Sequence, residues 1–416
     1  MNLFWKKLFG TLQSTEKYDE EKRRMLDDYN RYAAVRESDI MKEYNELLEA
    51  VKKPDFIANK ESVSKRKYKD TEEYRLTEEF SKMQKDKKIQ RYLELAKQYK
   101  SADEITDKSD KEIFVKYDNS SMIRQYNQVK EKISDPEFIK RNEFWANPKR
   151  YETTEEFKKE KRLADLKNSD DLKFFFGCNY KRFKFIDDFE MVFEDRFGYN
   201  KLADGKWKAG FHYFSDQLKA VHSFINEKQA NNGGKNILLN GHLNILTKSE
   251  KKEAAAWHPS RGFVMQDYDY TSDVINGYDA IKTTHGLFRA KIKFTGSKDV
   301  CHAFWLVGDS RVPHINVIKY TGGKLEIGAY LGKGNNVRYH SESIRGINPE
   351  NYFYYEVEWR KDALIWYINN LEVFRVSADV PQVDLFPMLN SFVPSSMKGG
   401  DAMMEVEFVQ VFKLKE

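Results

Sequence analysis

The sequence predicts two kinds of structure in one chain, an all-α helical arm followed by an all-β sandwich. Residues 16–180 are rich in charged side chains and carry short apolar groups at helical spacing. From about residue 181, glycine, β-branched and aromatic residues become frequent and apolar and polar residues alternate. We therefore predict a short N-terminal segment (1–15), a helical domain (16–180) and a β domain (181–416).

Composition argues against several classes of partner. The 71 Lys and Arg residues and the 66 Asp and Glu residues are spread along the chain and leave a net charge of only +5. A nucleic-acid partner is not predicted, because such binding needs a concentrated basic surface. Cys178 and Cys301 stand far apart and have no ligand spacing, so no disulfide, metal site or cofactor is predicted.

The first dozen residues are apolar but interrupted by Lys6 and Lys7. No small-residue cleavage site follows them, so a Sec signal is not expected. No later stretch approaches the roughly 18 uncharged apolar residues of a membrane span. The segment is predicted to form a short amphipathic helix that docks on a membrane surface or on protein. The expected location is the cytoplasm, or a virion or other large assembly.

Two stretches of the helical arm, about 44–100 and 126–180, resemble each other. The shared blocks are Tyr44-Asn45 and Tyr126-Asn127, Pro54-Asp55-Phe56-Ile57 and Pro136-Glu137-Phe138-Ile139, and Tyr68 to Tyr74 and Tyr151 to Phe157. Their offset is 82 residues for the first two pairs and 83 for the third, which indicates a duplicated helical unit. Such a tandem suits a spacer or an arm that docks on a protein partner; a merely solvated helical domain is an equal alternative.

Strand signals recur through the β domain without intervening helices. Phe288, Ala290, Ile292 and Phe294 alternate with polar residues, as do Tyr355, Val357 and Trp359. Two further strands flank Asn369-Asn370, a pair that tolerates the positive φ of a hairpin turn. Many short strands separated by polar turns predict a sandwich or jelly roll.

The order of these strands resembles the laminarinase and β-glucanase branch of glycoside hydrolase family 16, from about Phe189 to Leu414. The blocks that carry the resemblance are Phe193 to Phe197, Asn240 to Ile245, His285 to Lys293, Ala303 to Leu306, Tyr355 to Trp359 with Ile365 to Ile368, and Met404 to Phe412. Each block is weak alone, but six in order are specific. The resemblance implies a concanavalin A-like jelly roll.

The catalytic strand of that family carries three carboxylates in the pattern E-x-D-x-x-E, where a bulge turns the third toward the sugar. Retaining hydrolysis needs two of them, as nucleophile and as acid/base. At the matching positions this chain has His314, Asn316 and Lys319. The resemblance therefore predicts a family member with a degenerate motif that is not an enzyme. Replacement of the lost carboxylates by Asp309 or Glu326 is conceivable.

Three functions remain open at this point. The preferred hypothesis is a non-catalytic interaction or structural component of a larger assembly that contacts glycan. The second is a carbohydrate-binding module for β-glucan or an anionic polysaccharide, and the third is an active or altered glycoside hydrolase. The predicted carbohydrate-binding residues are Trp305, His314, Asn316, Lys319 and Trp257. An open groove beside Trp305 favours sugar binding, and a plugged groove favours a scaffold.

Overall fold

A computed structural model describes residues 1–212 and 221–415, with the backbone alone for Lys7. The chain divides into a helical unit, Tyr29–Asn179, and a β-rich unit made of Met1–Asp28 and Tyr180–Glu416. This differs from the predicted boundaries, because residues 1–28 group with the β-rich unit. In the part of the chain described, no helix has the length and apolar character needed to cross a bilayer.

The helices fill the region before residue 189. They are α1 (Phe4–Leu8), α2 (Thr15–Glu37), α3 (Asp39–Ala50), α4 (Pro54–Lys65), α5 (Glu72–Lys85), α6 (Lys87–Gln98), α7 (Lys108–Tyr117), α8 (Ser121–Ser134), α9 (Pro136–Ala146), α10 (Glu155–Lys167), α11 (Asp170–Gly177) and α12 (Lys184–Asp188). Short 3₁₀ turns separate α4 from α5 and α9 from α10.

Equivalent helices of the helical unit start with equivalent caps. The hydroxyl of Thr71 accepts a hydrogen bond from the Tyr74 backbone N–H at the start of α5, and the hydroxyl of Thr154 accepts one from the Phe157 N–H at the start of α10, both at 3.2 Å. Helix α5 packs against α8 and α9, while α10 packs against α3 and α4. Helices of each stretch thus pack on helices of the other, as neighbouring units of a helical tandem do.

The strands follow from residue 189 onward. They are β1 (Phe189–Asp195), β2 (Lys208–Ala209), β3 (Gln229–Asn231), β4 (Ile237–Leu239), β5 (Leu243–Thr247), β6 (Lys252–His258), β7 (Gly262–Tyr268), β8 (Tyr270–Ser272), β9 (Val274–Asn276), β10 (Gly286–Gly296), β11 (Cys301–Val307), β12 (His314–Thr321), β13 (Lys324–Leu331), β14 (Arg338–Ile344), β15 (Phe353–Trp359), β16 (Leu364–Ile368), β17 (Leu371–Val376), β18 (Phe386–Phe392) and β19 (Ala402–Leu414).

Two antiparallel sheets form the predicted sandwich, which confirms the fold class. Within the described residues, the first sheet has the order β17-β16-β15-β10-β19-β5-β4, with β1 also paired to β19, and the second has the order β14-β13-β12-β11-β18-β9-β2. The main core lies between them and includes the fully buried Phe288, Trp366 and Phe304. The hairpin residues Asn369 and Asn370 have φ of 44° and 65°, the positive values that the Asn-Asn pair predicted.

The first half of α2 covers part of the outer face of the first sheet. Tyr18 is buried and its ring meets that of Tyr354 edge-on, with centroids 4.9 Å apart. Asp19 Oδ2 accepts a hydrogen bond from Lys291 Nζ at 2.9 Å. Lys22 Nζ lies 4.3 Å from the centroid of the Tyr354 ring. These contacts explain why residues beyond the predicted N-terminal segment belong to the β-rich unit.

Lys22 is expected to make the stability of the β-rich unit depend on pH. Burial, aided by nearby Arg289, lowers the pKa of Lys22 from its ordinary value to about 7. Between about pH 7 and pH 10 the unfolded chain therefore holds the proton that the folded chain has released, so stability rises with pH in this window. Urea unfolding across that range should show the rise, and Lys22→Met should flatten it. Identical slopes for the two proteins would contradict this assignment.

Candidate functional site

A cavity of ≈ 250 Å³ opens on the outer face of the second sheet. Its described lining comes from β11, β12, β13 and β18 and from the segments that flank β2 and β3. The lining residues are Phe211, Phe224, Glu227, Ala303, Trp305, His314, Asn316, Lys319, Tyr330, Asn390 and Phe392. Four of the five predicted carbohydrate-binding residues thus meet in one place.

A bulge in β12 explains how three of its residues reach this cavity. Regular alternation would place residues 314, 316 and 318 on one face. The pairing of β12 with β11 and with β13 shifts register after Asn316, so that Val317 and Ile318 both lie in the core and Lys319 lines the cavity. The extra residue of a bulge has this effect. The strand geometry expected from the resemblance is therefore present, with His314, Asn316 and Lys319 facing the cavity.

Four rings contact one another in a row, and the first three, those of Trp305, His314 and Tyr330, line the cavity. Trp305 stacks on His314, with centroids 4.4 Å apart and planes 14° apart. His314 meets Tyr330 edge-on at 5.9 Å, and Tyr330 stacks on Tyr339 at 4.1 Å. Tyr330 is 40% exposed, whereas Trp305 is 9% exposed. Tyr330 therefore offers the accessible ring face, and Trp305 supports the row from behind.

His314 is a neutral part of this row. Burial lowers its pKa to about 4, against a smaller opposing effect of the Asn316 hydrogen bond. Its Nε2 lies 3.0 Å from Asn316 Oδ1, so the neutral ring carries its proton on Nε2 and donates to the amide oxygen. His314 therefore offers no positive charge to an anionic ligand at neutral pH, because its imidazole is uncharged there.

Asn316 is held in place from three sides. Its side-chain nitrogen contacts the Tyr339 hydroxyl at 3.5 Å, and that hydroxyl donates to Glu326 Oε1 at 2.5 Å. Its backbone carbonyl accepts a hydrogen bond at 2.8 Å from the indole of Trp366, which belongs to the opposite sheet. Glu326 is thus engaged by a tyrosine rather than directed into the cavity.

Lys319 and Asn390 supply further polar groups. Lys319 is the only lysine or arginine in the described lining. The side-chain oxygen of Asn390 accepts a hydrogen bond from the indole of Trp305 at 3.0 Å. Asp309, the other suggested replacement carboxylate, lies outside the cavity lining and binds Lys282 at 3.1 Å. The described lining therefore carries two amides, one lysine and one glutamate, besides the polar atoms of its imidazole, indole and phenol rings.

That glutamate, Glu227, was not among the residues predicted from the sequence. It lies just before β3, and its carboxylate accepts a hydrogen bond at 2.5 Å from the side-chain amide of Gln229. Gln229 is itself fixed by accepting a bond from the Val393 N–H at 2.7 Å. Among the described residues no cation pairs with Glu227, and burial raises its pKa from the ordinary value to about 7. A carboxyl group with such a pKa can give and take a proton near neutrality.

Trp257, the fifth predicted binding residue, does not line the cavity. It lies on β6, is 52% exposed and meets Phe263 of β7 edge-on at 5.2 Å. Tyr268, on the same hairpin, is 2% exposed and part of a small buried cluster. Within the described ranges, no group of three or more His, Cys, Asp or Glu side chains is arranged to hold a metal ion. A role for Trp257 in sugar binding stays a prediction.

Residues 242–407 match the family model described as Glycosyl hydrolases family 16. Two proteins of Rhizobium meliloti are similar to the chain over 159 residues, Endo-1,3-1,4-beta-glycanase EglC at 23% identity and Endo-1,3-1,4-beta-glycanase ExsH at 21%. Each match covers 35% of this chain and 34% of the relative, so the chain spans about a third of the length of these relatives. The catalytic domain of an endo-1,3-beta-glucanase (laminarinase) from Thermotoga petrophila is similar at 18% identity and a TM-score of 0.44, covering 55% of this chain and 100% of that one.

These comparisons correct one expectation from the sequence. The loss of the strand carboxylates predicted that the chain is not an enzyme, yet the two Rhizobium meliloti relatives that it matches are named as endo-glycanases. That expectation weighed only the carboxyl groups of β12, whereas the carboxyl group of Glu227 enters the cavity from another segment. The resemblance itself is confirmed, because residues 242–407 of the β-rich unit match the model of glycosyl hydrolases family 16.

Proposed function

We propose that the β-rich unit binds a polysaccharide of the β-glucan class in the cavity beside β12. The observation that carries this proposal is the row of rings from Trp305 through His314 and Tyr330 to Tyr339, flanked by amide and amine groups. Sugar rings have apolar C–H faces that pack on aromatic rings and hydroxyl groups that need donors and acceptors. The cavity offers both within one short stretch of sheet.

A neutral glucan fits this lining better than an anionic polysaccharide does. Lys319 is the only lysine or arginine among the described lining residues. The pKa of His314 is lowered to about 4 by burial, so His314 is uncharged at neutral pH. Glu227 shares the cavity and adds negative charge as it ionises. Sulfate or carboxylate groups of an anionic polysaccharide would lose hydrating water on binding, and the cavity provides little positive charge to offset that cost in free energy.

Tyr330→Ala should weaken glucan binding by roughly tenfold, which corresponds to about 1.4 kcal/mol. The substitution removes the accessible ring of the row, and the position is 40% exposed, so little folding energy is at stake. Titration calorimetry with laminarin and lichenan oligosaccharides would measure the change. Leu238→Ala, at a 49% exposed position of β4 in the other sheet, is the matched control.

Binding that favours uronic or sulfated polysaccharides over both glucans would contradict the proposed ligand class. Equal affinities of Tyr330→Ala and the unmodified protein would contradict the proposed place of binding. Either result can be recognised without any assay of hydrolysis.

A second candidate function is hydrolysis of the bound glucan with an altered set of acidic groups, and Glu227 is the observation that favours it. As a carboxylic acid, Glu227 would protonate the glycosidic oxygen while the bond from that oxygen to C1 breaks and its electron pair passes to the oxygen. Water would then add to C1 and return a proton to the Glu227 carboxylate. The reaction consumes one water and forms two hydroxyl groups, one on each product. A glutamate with a pKa of about 7 suits both proton transfers.

A further inference from the structure

A short apolar segment near the start of the β-rich unit projects large side chains into solvent. The segment comprises residues 4–9 and is called the aromatic segment below. Its exposed apolar members are Phe4 (51%), Trp5 (57%), Leu8 (62%) and Phe9 (75%). Trp5 meets Phe4 edge-on at 5.3 Å and stacks on Phe9 at 6.0 Å. The rings therefore form one contiguous patch, and contiguous apolar patches on a surface mark interaction sites.

The chain on both sides of the aromatic segment is anchored. Leu3 and Leu12 are 0% and 2% exposed, and both belong to the main core of the sandwich. The Leu3 backbone N–H donates to the Arg345 carbonyl at 2.6 Å. The backbone of Phe4 lies so close to Gly346 that an added Cβ there would be 2.3 Å from the Phe4 nitrogen. The exposure of the rings is therefore built into the fold and does not arise from a fraying end.

The charges that the segment itself carries favour one kind of partner. Residues 1–15 contain Lys6 and Lys7 and no Asp or Glu, so the segment that carries the rings is purely basic. Helices that lie in the interface of a bilayer typically combine tryptophan, phenylalanine and leucine with lysines. Their rings lie among the upper acyl chains, and their amines lie at the headgroups. Anionic headgroups complement the lysines, and the upper acyl chains complement the rings.

We propose that the aromatic segment inserts into the surface of an anionic lipid bilayer and holds the β-rich unit there. The contact is peripheral, since the segment is far shorter than a span of about 20 residues. Burial of four large side chains supplies the apolar part of the binding energy, and the two lysines supply a part that salt weakens. The proposal does not depend on what the cavity binds.

Flotation of the full chain with vesicles tests the proposal. We expect the protein to float with vesicles of phosphatidylcholine mixed with phosphatidylglycerol, and far less with phosphatidylcholine alone. Trp5→Ser/Phe9→Ser should weaken binding by at least about tenfold, since it removes the two most exposed rings of the aromatic segment. The matched control is Met265→Ser/Val383→Ser, which changes side chains that are 60% and 51% exposed elsewhere and should bind as the unmodified protein does.

Three outcomes would overturn the proposal. One is absence of the unmodified protein from the floated vesicles of both compositions. Another is equal binding of Trp5→Ser/Phe9→Ser and the unmodified protein. The third is a lipid-independent dimer, seen by size-exclusion chromatography, that Trp5→Ser/Phe9→Ser abolishes, because the segment would then serve contact between two copies of the chain.

Discussion

Replacing Glu227 with glutamine will lower β-glucan hydrolysis by about 10²- to 10⁴-fold, the usual contribution of a positioned general acid. Glutamine keeps the shape of the side chain and an oxygen that can still accept the bond from Gln229, but it carries no acidic proton. Because burial raises the pKa of Glu227 to about 7, the acid form of the unmodified protein is lost above that pH and its rate should fall there. Reducing-sugar release from laminarin and lichenan, followed against pH, measures both effects.

Glu253→Gln is the matched control, since Glu253 is an exposed glutamate of β6 outside the cavity lining. It should leave the rate and the pH profile unchanged. Glucan affinity should also stay within about threefold in Glu227→Gln, because the ring row remains intact. Hydrolysis through Glu227 is contradicted if Glu227→Gln hydrolyses glucan at the rate of the unmodified protein. It is also contradicted if the unmodified protein is no faster than a heat-inactivated sample. Neither result bears on the binding proposal, which has its own test.

Replacing Glu356 with alanine will lower the free energy of unfolding of the β-rich unit by about 3–5 kcal/mol, the cost typical of breaking a buried ion pair. Arg289 and Glu356 face each other across β10 and β15 and are 5% and 2% exposed. The two contacts between guanidinium and carboxylate are 3.0 Å and 3.1 Å. Without Glu356, the positive charge of Arg289 stays buried beside the rings of Phe185 and Phe412 and has lost the carboxylate that balanced it.

Urea unfolding followed by tryptophan fluorescence measures this loss, because six of the seven tryptophans belong to the β-rich unit. The control is Glu372→Ala, which breaks a pair with Arg375 in which both side chains are 44% exposed and should cost less than about 1 kcal/mol. Arg289→Met/Glu356→Leu should recover most of the loss, since an apolar pair of similar size leaves no buried charge. A loss for Glu356→Ala as small as that of the control would show that water reaches Arg289.

Much of the fold could be predicted because its signals are local. The alternation around Phe288 specifies a half-buried strand whatever lies beside it, and Asn369-Asn370 specifies a tight turn by its tolerance of positive φ. The threonines that open α5 and α10 cap their own helices. The domain boundary near residue 28 had no such signal. Residues on both sides of it belong to one helix, α2, and only contacts with distant strands assign its first half to the β-rich unit.

The candidate site was predicted in part. Trp305, His314, Asn316 and Lys319 were found because they lie on two neighbouring strands whose residues matched a known order. Trp257 was grouped with them by residue type, and the structure places it outside the cavity lining. The docking role predicted for the helical arm stays a prediction. Glu227 could not be predicted from the sequence. Its neighbour Gln229 is held by a hydrogen bond from the distant Val393, and no sequence pattern indicates that contact.

By itself, the sequence determined the helical and β-rich parts of this protein, the succession of strands and the absence of carboxylates from residues 314, 316 and 319. Tertiary structure alone decided which titratable groups meet. It brought Glu227 to the cavity, Asp19 to Lys291 across 272 residues, and the aromatic segment to the edge of the sandwich. The reason is physical: secondary structure depends on neighbours within a few residues, whereas burial and the pKa changes it causes depend on segments that only folding brings together.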